Sequence, residues 1–355
     1  MLDPPHDDAS VSTPRSDPPA SDRASLGSLF AVVVIDLIGF GVVIPILPFY
    51  AESYGANATQ LGLLLTCYAG MQFLFAPVWG RLSDRFGRRP VILLTLAGTS
   101  ISLFALGLAE SLAGLFAARL LAGVFGANLS VASAYITDAT SEAERTKYMG
   151  LLGASFGIGF ILGPALGGGL APFGYDVPMF VAAGLAALNL VAATFRLREP
   201  ARQRGSGVRP WTLPRGRVLA LCIAYFVFVF GVAQLETVFA FFMLDRFGWD
   251  AHQVAGILVL MGVLSAGVQG GAIRPLAARF GERRLLLAGT MILAPCLAAV
   301  PFMPSIPLLI LPLAISSLGR GLVHPSLLSL VSRAAAANER GAVMGTFQSS
   351  ASLAR

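Results

Sequence analysis

Three ionisable residues lie inside long apolar runs. Asp36 sits in VVVIDLIGFGVVIPILPFY, Arg119 in LFAARLLAGVFGANLSVASAYITDAT and Glu236 in FGVAQLETVFAFFMLDRFGW. A charge in hydrocarbon is costly, so each must face a cavity or a partner, and such residues mark ion and substrate paths. Asp36 and Glu236 can take up and release protons. Arg119 stays charged at any biological pH, so its chemistry is to hold a carboxylate or water that changes protonation nearby. Plainer readings stay open for each: Asp36 snorkelling at a span end, Arg119 as packing glue, Glu236 facing water at a cavity mouth.

A second set of polar groups reads as substrate cavity: Asn128, Gln234 and Gln269, with Phe239 among the neighbouring rings Phe226, Phe228, Phe230, Phe241 and Phe242. Aromatic walls with few fixed polar groups suit bulky lipophilic or cationic molecules, although rings of this kind also face lipid. Arg320 and His324 share the tenth apolar run, where a packed neutral histidine is the simpler reading of His324. There is no His/Cys/Asp cluster, serine triad or phosphate-binding loop, so neither an enzyme, a metal site nor an ATP-driven pump is expected. Cys67, Cys222 and Cys296 show no paired spacing.

The elements that must position these groups are membrane spans. The 355 residues are 55% hydrophobic and 12% charged, with a mean hydropathy of +0.74. Soluble domains carry about 25% charged residues, so the composition predicts an all-α membrane protein. Spans are expected at 28–50, 59–80, 91–109, 112–137, 148–170, 178–195, 218–243, 254–273, 285–303 and 306–331, with an eleventh opening near 341. Residues 1–27, rich in Pro, Asp and Ser, predict a disordered tail. The arginine-rich stretch 196–217 predicts a linker between an N-terminal bundle (28–195) and a C-terminal one (218–355).

Arginines and the one lysine in the loops fall almost wholly on the side of the tail; Arg246 is the exception. That asymmetry puts the N-terminus and the linker in the cytoplasm and the chain in the cell's inner (plasma) membrane. The net charge of +6 therefore sets orientation and does not point to nucleic acid. Between the second and third runs lies GRLSDRFGRRP, Gly80 to Pro90, a basic turn around the single carboxylate Asp84. Its glycines, Gly80 and Gly87, permit a sharp reversal, and Pro90 suits a first helical turn. In the fifth run Gly157, Gly159, Gly163, Pro164, Gly167 and Gly168 form a small-residue stripe for close helix packing. Arg85-Phe86-Gly87 recurs as Arg279-Phe280-Gly281, and Glu144-Arg145 with Met149-Gly150 recurs as Glu339-Arg340 with Met344-Gly345 at nearly the same separation. Such an internal repeat predicts two similar halves.

These stretches resemble known signatures. GRLSDRFGRRP is similar to the G-x-L-x-D-R-x-G-R-R/K loop between helices two and three of the major facilitator superfamily. The first run resembles the D-x-x-G-x-G-x-x-x-P-x-L-P start of its drug–proton antiporters, carried here by Asp36, Gly39, Gly41, Pro45 and Pro48. Arg119, Gly123, Gly126 and Ala127 match its R-x-x-x-G-x-x-G-A/S stretch, and Gly159, Gly163, Pro164, Gly167 and Gly168 match the antiporter pattern G-x-x-x-G-P-x-x-G-G. The resemblance implies a major facilitator fold of two six-helix halves exporting small lipophilic drugs in exchange for protons by alternating access. It implies no cofactor beyond the proton gradient, and as partners a small-molecule substrate, protons and the lipid bilayer; a monomer is expected. It implies proton coupling through Asp36, Arg119 and Glu236, and a gate built from Gly80, Asp84, Arg85, Gly87, Arg88 and Arg89. The ninth run lacks the acid that tetracycline exporters carry there, which argues against tetracycline as cargo. The counterpart of Gly163-Pro164 falls beyond Arg355, so the chain reads as truncated within helix eleven. A metabolite uptake carrier and a non-transporting remnant are the competing readings.

Overall fold

In the computed structural model the described residues are 20–126, 128–140, 142–200, 215–334 and 340–354, and among them the chain folds as helices without strands. An N-terminal group holds α1 (Ala20–Ser53), α2 (Ala58–Phe86), α3 (Arg88–Gly107), a fourth span broken into α4 (Leu112–Phe125) and α5 (Asn128–Ala139), α6 (Glu142–Leu170) and α7 (Asp176–Arg196). A C-terminal group holds α8 (Arg217–Thr237) running into α9 (Phe239–Phe247), and α10 (Ala251–Gly267) running through a π-helical turn, Val268–Ala272, into α11 (Ile273–Phe280). It continues with α12 (Glu282–Ala299), α13 (Ile306–Ala334) and α14 (Arg340–Ala354). Among the described residues, 10 helical stretches are long and apolar enough to cross a membrane. Leu74, Ile101, Phe195, Val227 and Met291 stand exposed on their outer faces, as expected where hydrocarbon is the solvent.

Within the first group α1 packs on α6 and α7, α3 on α7 and α2 on α4; within the second, α12 packs on α13, α13 on α10 and α8 on α14. The main seam between groups is α6 against α10. The cores differ at the two ends of the molecule. At the end far from the basic turn, Leu47, Tyr50 and Met179 share one buried cluster with Phe239, Met243 and Val254, so the groups are fused there. At the basic end each group keeps its own core, one around Leu29, Leu96 and Tyr135, the other around Tyr225, Leu327 and Phe347.

Two local expectations are corrected. The segment 20–27, expected within a disordered tail, contributes to α1, which starts at Ala20. Leu26 and Leu29 are fully buried, and Ser25 bonds the Tyr135 hydroxyl, so tertiary contacts order what composition left unordered. The rest of that tail, 1–19, lies outside the described residues, as do 201–214 of the expected linker. The stretch Gly80–Pro90 is also not a loop: α2 continues to Phe86 and α3 starts at Arg88, so Gly80 is helical and Gly87 alone makes the turn.

Gly87 has φ 105 and ψ 159, a conformation open essentially to glycine. The Glu199 carboxylate accepts the backbone N–H groups of Arg88 (2.6 Å) and Arg89 (2.8 Å), capping the positive end of α3. A Cβ on Gly87 would lie 2.8 Å from Glu199 Oε1. Gly87→Ala is expected to cost about 1–3 kcal/mol from backbone strain. The readout is a lower melting temperature of the detergent-purified protein; an unchanged melt would show that the turn relaxes elsewhere.

The repeat has structural counterparts. Gly281, like Gly87, has positive φ (79) and joins two helices. Arg85 over Phe86 and Arg279 over Phe280 lie at the same 5.3 Å. The second span of each group opens on a capping box, Asn57 with Gln60 and Asp250 with Gln253.

Candidate functional site: a cleft between the groups and a polar cluster beside it

The polar cluster is positioned by the break in the fourth span. Where α4 stops at Phe125, the carbonyls of Val124 and Gly126 lie at the break in the span. Both are taken by α2: Trp79 Nε1 donates to Val124 (2.5 Å) and Gln72 Nε2 to Gly126 (2.5 Å). Such substitution makes a helix break tolerable in a membrane. The restart places Asn128 at the head of α5, where it is buried, donates to Asp36 Oδ1 at 2.9 Å and accepts from the Thr95 hydroxyl. Asp36 thereby ties α1 to α5 and α3. Because Asn128 Oδ1 faces Thr95, its NH2 is aimed at the carboxylate.

Arg119 is buried on α4, at 5% exposure, with its guanidinium 4.2 Å from the centre of the Tyr68 ring and its Nε without a hydrogen-bond partner. Gly123, one turn on, lets α4 approach α2 closely: a Cβ there would meet the Tyr68 carbonyl at 2.5 Å. No ion pair joins Arg119 to Asp36 among the described residues. From Tyr68 a line of rings crosses the molecule. Phe40 lies 5.7 Å from Tyr68, Phe160 lies edge-on to Phe40 at 6.4 Å, and Arg320 stands 5.0 Å above Phe160. Cations thus terminate the line in both groups.

The cleft lies between α6 of the first group and α8, α10 and α13 of the second. It is an open cleft, and its empty space, counted together with the solvent at its mouth, is about 1020 Å³. Phe156, Gly157, Phe160 and Pro164 line one wall; Tyr225, Phe228, Val232, Met261, Ser265, Gln269, Arg320 and His324 line the other. Gln269 sits on the π-helical turn, a local widening that recurs at functional sites.

The fifth-span stripe divides by direction. Gly159, Gly163 and Gly167 face α1, with a Cβ on Gly163 only 2.5 Å from the Gly41 Cα and one on Gly167 2.7 Å from the Val42 carbonyl. Gly157 and Pro164 face the cleft, and Gly168 abuts Ala255 across the seam.

Of the residues expected to line the cavity, Gln269 does so. Asn128 belongs to the Asp36 cluster, Phe239 is buried in the core shared by the two groups, and Gln234 is exposed on α8. Glu236 is on α8 and its side chain lies outside the described residues, as does Ala127. Asp36, half-buried, and Arg119, buried, therefore sit among the helices of the N-terminal group and are not among the described residues that line the cleft. In the basic turn, Arg88 gathers Asp84 (2.6 Å), Ser83 (2.6 Å) and Asp138 (2.7 Å), while Arg89 donates to the Thr194 carbonyl (2.7 Å). Arg85 is exposed. Tyr68 and Thr95, inside α2 and α3, and Asp138 and Glu199, near span ends, carry no distinguishing local pattern in the sequence, and only the packing reveals their partners.

The family model of the Major Facilitator Superfamily matches residues 29–355. The chain belongs to this superfamily. Among curated major facilitator proteins it is similar to tetracycline resistance protein, class B, of Escherichia coli, 33% identical over 327 residues that cover 88% of this chain and 81% of the relative. It is also similar to multidrug resistance protein 2 of Bacillus subtilis (strain 168), 29% identical over 73% of this chain and 68% of the relative. Among solved major facilitator structures, the human organic anion transporter MFSD10 (TETRAN) superposes with a TM-score of 0.72 at 27% identity, covering 95% of this chain and 91% of that one. The chain is thus a multi-pass membrane protein of a transporter family.

Proposed function

We propose that the protein is a secondary transporter that exports small organic molecules in exchange for protons by alternating access. The observation that carries this reading is the Asp36–Asn128–Thr95 cluster: a carboxylate in mid-span with a directed donor, at a junction of three helices. Protonation weakens Asp36 as an acceptor and loosens the tie between α1 and α5, which biases the balance between two packings. Arg119, held on Tyr68 nearby in the same group, supplies fixed positive charge to the region. Glu236 is a second proton-carrying candidate. The relatives named for tetracycline and multidrug resistance, and the organic anion transporter, support export of small organic cargo.

The basic end faces the cytoplasm in this reading, with the N-terminus, by the charge asymmetry of the loops. The fused core at the far end and the separate cores at the basic end then correspond to a protein sealed outside. The cluster of Arg88, Asp84 and Asp138 serves as the gate's anchor. Protein in liposomes with an imposed pH gradient is expected to move a fluorescent cargo dye against its concentration, and to stop when the gradient is collapsed by a protonophore. Transport indifferent to the gradient would exclude proton exchange.

A further inference from the structure

The Asp36 cluster contains a reversible element. Asn128 is 4% exposed and Thr95 is fully buried, so neither can turn to water, while Asp36 is half-buried. Asn128 Nδ2 donates to Asp36 Oδ1 at 2.9 Å, and Asn128 Oδ1 accepts from the Thr95 hydroxyl. The same hydroxyl reaches two further acceptors, the carbonyls of Val91 (2.9 Å) and Ile92 (3.0 Å), one turn back along α3. A hydroxyl carries one hydrogen and can accept as well as donate. An amide presents a donor edge and an acceptor edge that exchange on a half-turn about Cβ–Cγ. The cluster therefore has two arrangements in which its groups are paired. With Asp36 charged, the Thr95 hydrogen points to Asn128 and the amide NH2 to the carboxylate. With Asp36 protonated, the amide turns over. Its oxygen then accepts the new carboxyl hydrogen, its NH2 donates to Thr95 Oγ1, and the hydroxyl hydrogen swings to Val91 or Ile92. The proton taken up from water is the one addition; every other hydrogen stays on its own atom.

Resting on the exporter reading above, in which Asp36 takes up the proton, we propose that Thr95 is the positioning residue that lets the Asn128 amide turn over each time Asp36 is protonated. A fixed amide would leave the carboxyl O–H beside a donor. A turned amide keeps it paired, by a bond weaker than the charge-assisted one it replaces, so the tie between α1 and α5 loosens without orphaning a buried group. No ion pair joins Asp36 to a described residue. On the helices packed around α1, Asp138 of α5 is held by Arg88, Asp176 and Arg196 stand at the ends of α7, Asp245 and Arg246 near the end of α9, and His252 at the start of α10. Arg119 of α4 rests on Tyr68. The side chains of Glu236 on α8 and of Glu142, Glu144, Arg145 and Lys147 on α6 lie outside the described residues. All of these groups are common to the wild type and to variants of Thr95, so a comparison at that position isolates the hydroxyl.

The experiment is an infrared pH titration of the full chain in detergent, without any gradient. It follows the carbonyl band of the protonated acid that is absent from Asp36→Asn. Thr95→Val keeps the shape of the side chain and removes its hydroxyl. With Asp36 charged, the variant leaves a buried amide oxygen short of one bond. With Asp36 protonated, it leaves an NH2 without an acceptor, the defect that folded proteins avoid more strictly. Thr95→Val is therefore expected to lower the proton affinity of Asp36 by about three- to tenfold, the scale of one net hydrogen bond, and Thr95→Ser to keep the wild-type titration. A fixed amide gives another sign. There the hydroxyl only strengthens the NH2 as donor to the charged carboxylate, and its loss raises the proton affinity or leaves it unchanged. An unchanged or raised affinity in Thr95→Val overturns the proposal, as does a Thr95→Ser titration that departs from wild type, or the absence of any Asp36 band. If Thr95→Val fails to fold, Thr95→Ala against Thr95→Ser carries the same comparison. A lowered affinity in Thr95→Val together with transport indifferent to the gradient would sink the exporter reading and leave the turning amide standing. An unchanged affinity with gradient-driven transport does the reverse.

Discussion

Asp36→Asn is expected to reduce gradient-driven transport to the leak of empty liposomes while leaving gradient-independent exchange of cargo in place. Asparagine has nearly the shape of aspartate and keeps an Oδ1 acceptor for the Asn128 amide, which donates to Asp36 at 2.9 Å. The junction of α1, α3 and α5 therefore survives. What is lost is titration: an amide cannot alternate between a strong charged acceptor and a weak neutral one, so the packing no longer responds to protons. Exchange needs only that the loaded protein reorient, and it persists. Counterflow and pH-jump uptake measured on the same liposomes separate these outcomes. Full gradient-driven transport by Asp36→Asn would move proton coupling elsewhere, with Glu236 the next residue to substitute.

Gly163→Val is expected to prevent stable assembly, with a cost at or above about 3 kcal/mol, the upper part of the usual range for overpacking. α1 and α6 meet backbone to backbone here: a Cβ on Gly163 falls 2.5 Å from the Gly41 Cα, and one on Gly41 falls 2.6 Å from the Gly159 carbonyl. No flexible side chain can move aside, so the helices must separate along their whole contact. Gly157→Ala is the control. It lies in the same stripe, yet a Cβ there has nothing within 4 Å, because Gly157 faces the cleft. It should melt at or slightly above wild type, since alanine favours helix over glycine by about 1 kcal/mol. Size-exclusion profiles after a temperature ramp report both. Equal behaviour of the two variants would show that the stripe packs as an undifferentiated smooth face.

The same stripe shows where a one-dimensional reading stops. Small residues at helical spacing announce close packing, but spacing alone does not say which glycine meets α1, which meets α10 and which is left open to a cleft. Direction is set by how each helix is rotated against its neighbours. The basic turn shows a similar limit. Its arginines and Gly87 were legible as a reversal at one membrane face, whereas Gly80 is helical, and the capping group, Glu199, comes from 111 positions further along the chain, just past α7, which packs on α3.

The sequence by itself determined the solvent, the spans, the internal repeat and the presence of costly charges within the spans, because apolar length, loop charge and motif spacing are local properties of the chain. Tertiary structure alone decided that Asn128 serves Asp36 and not the cleft, that Arg119 rests on Tyr68, and that Arg320 and Gln269 face the space between the groups. The physical reason is that a polar group in a membrane protein must find its partner across helices far apart in the chain, and that partner is chosen by helix rotation and by breaks such as the one after Phe125.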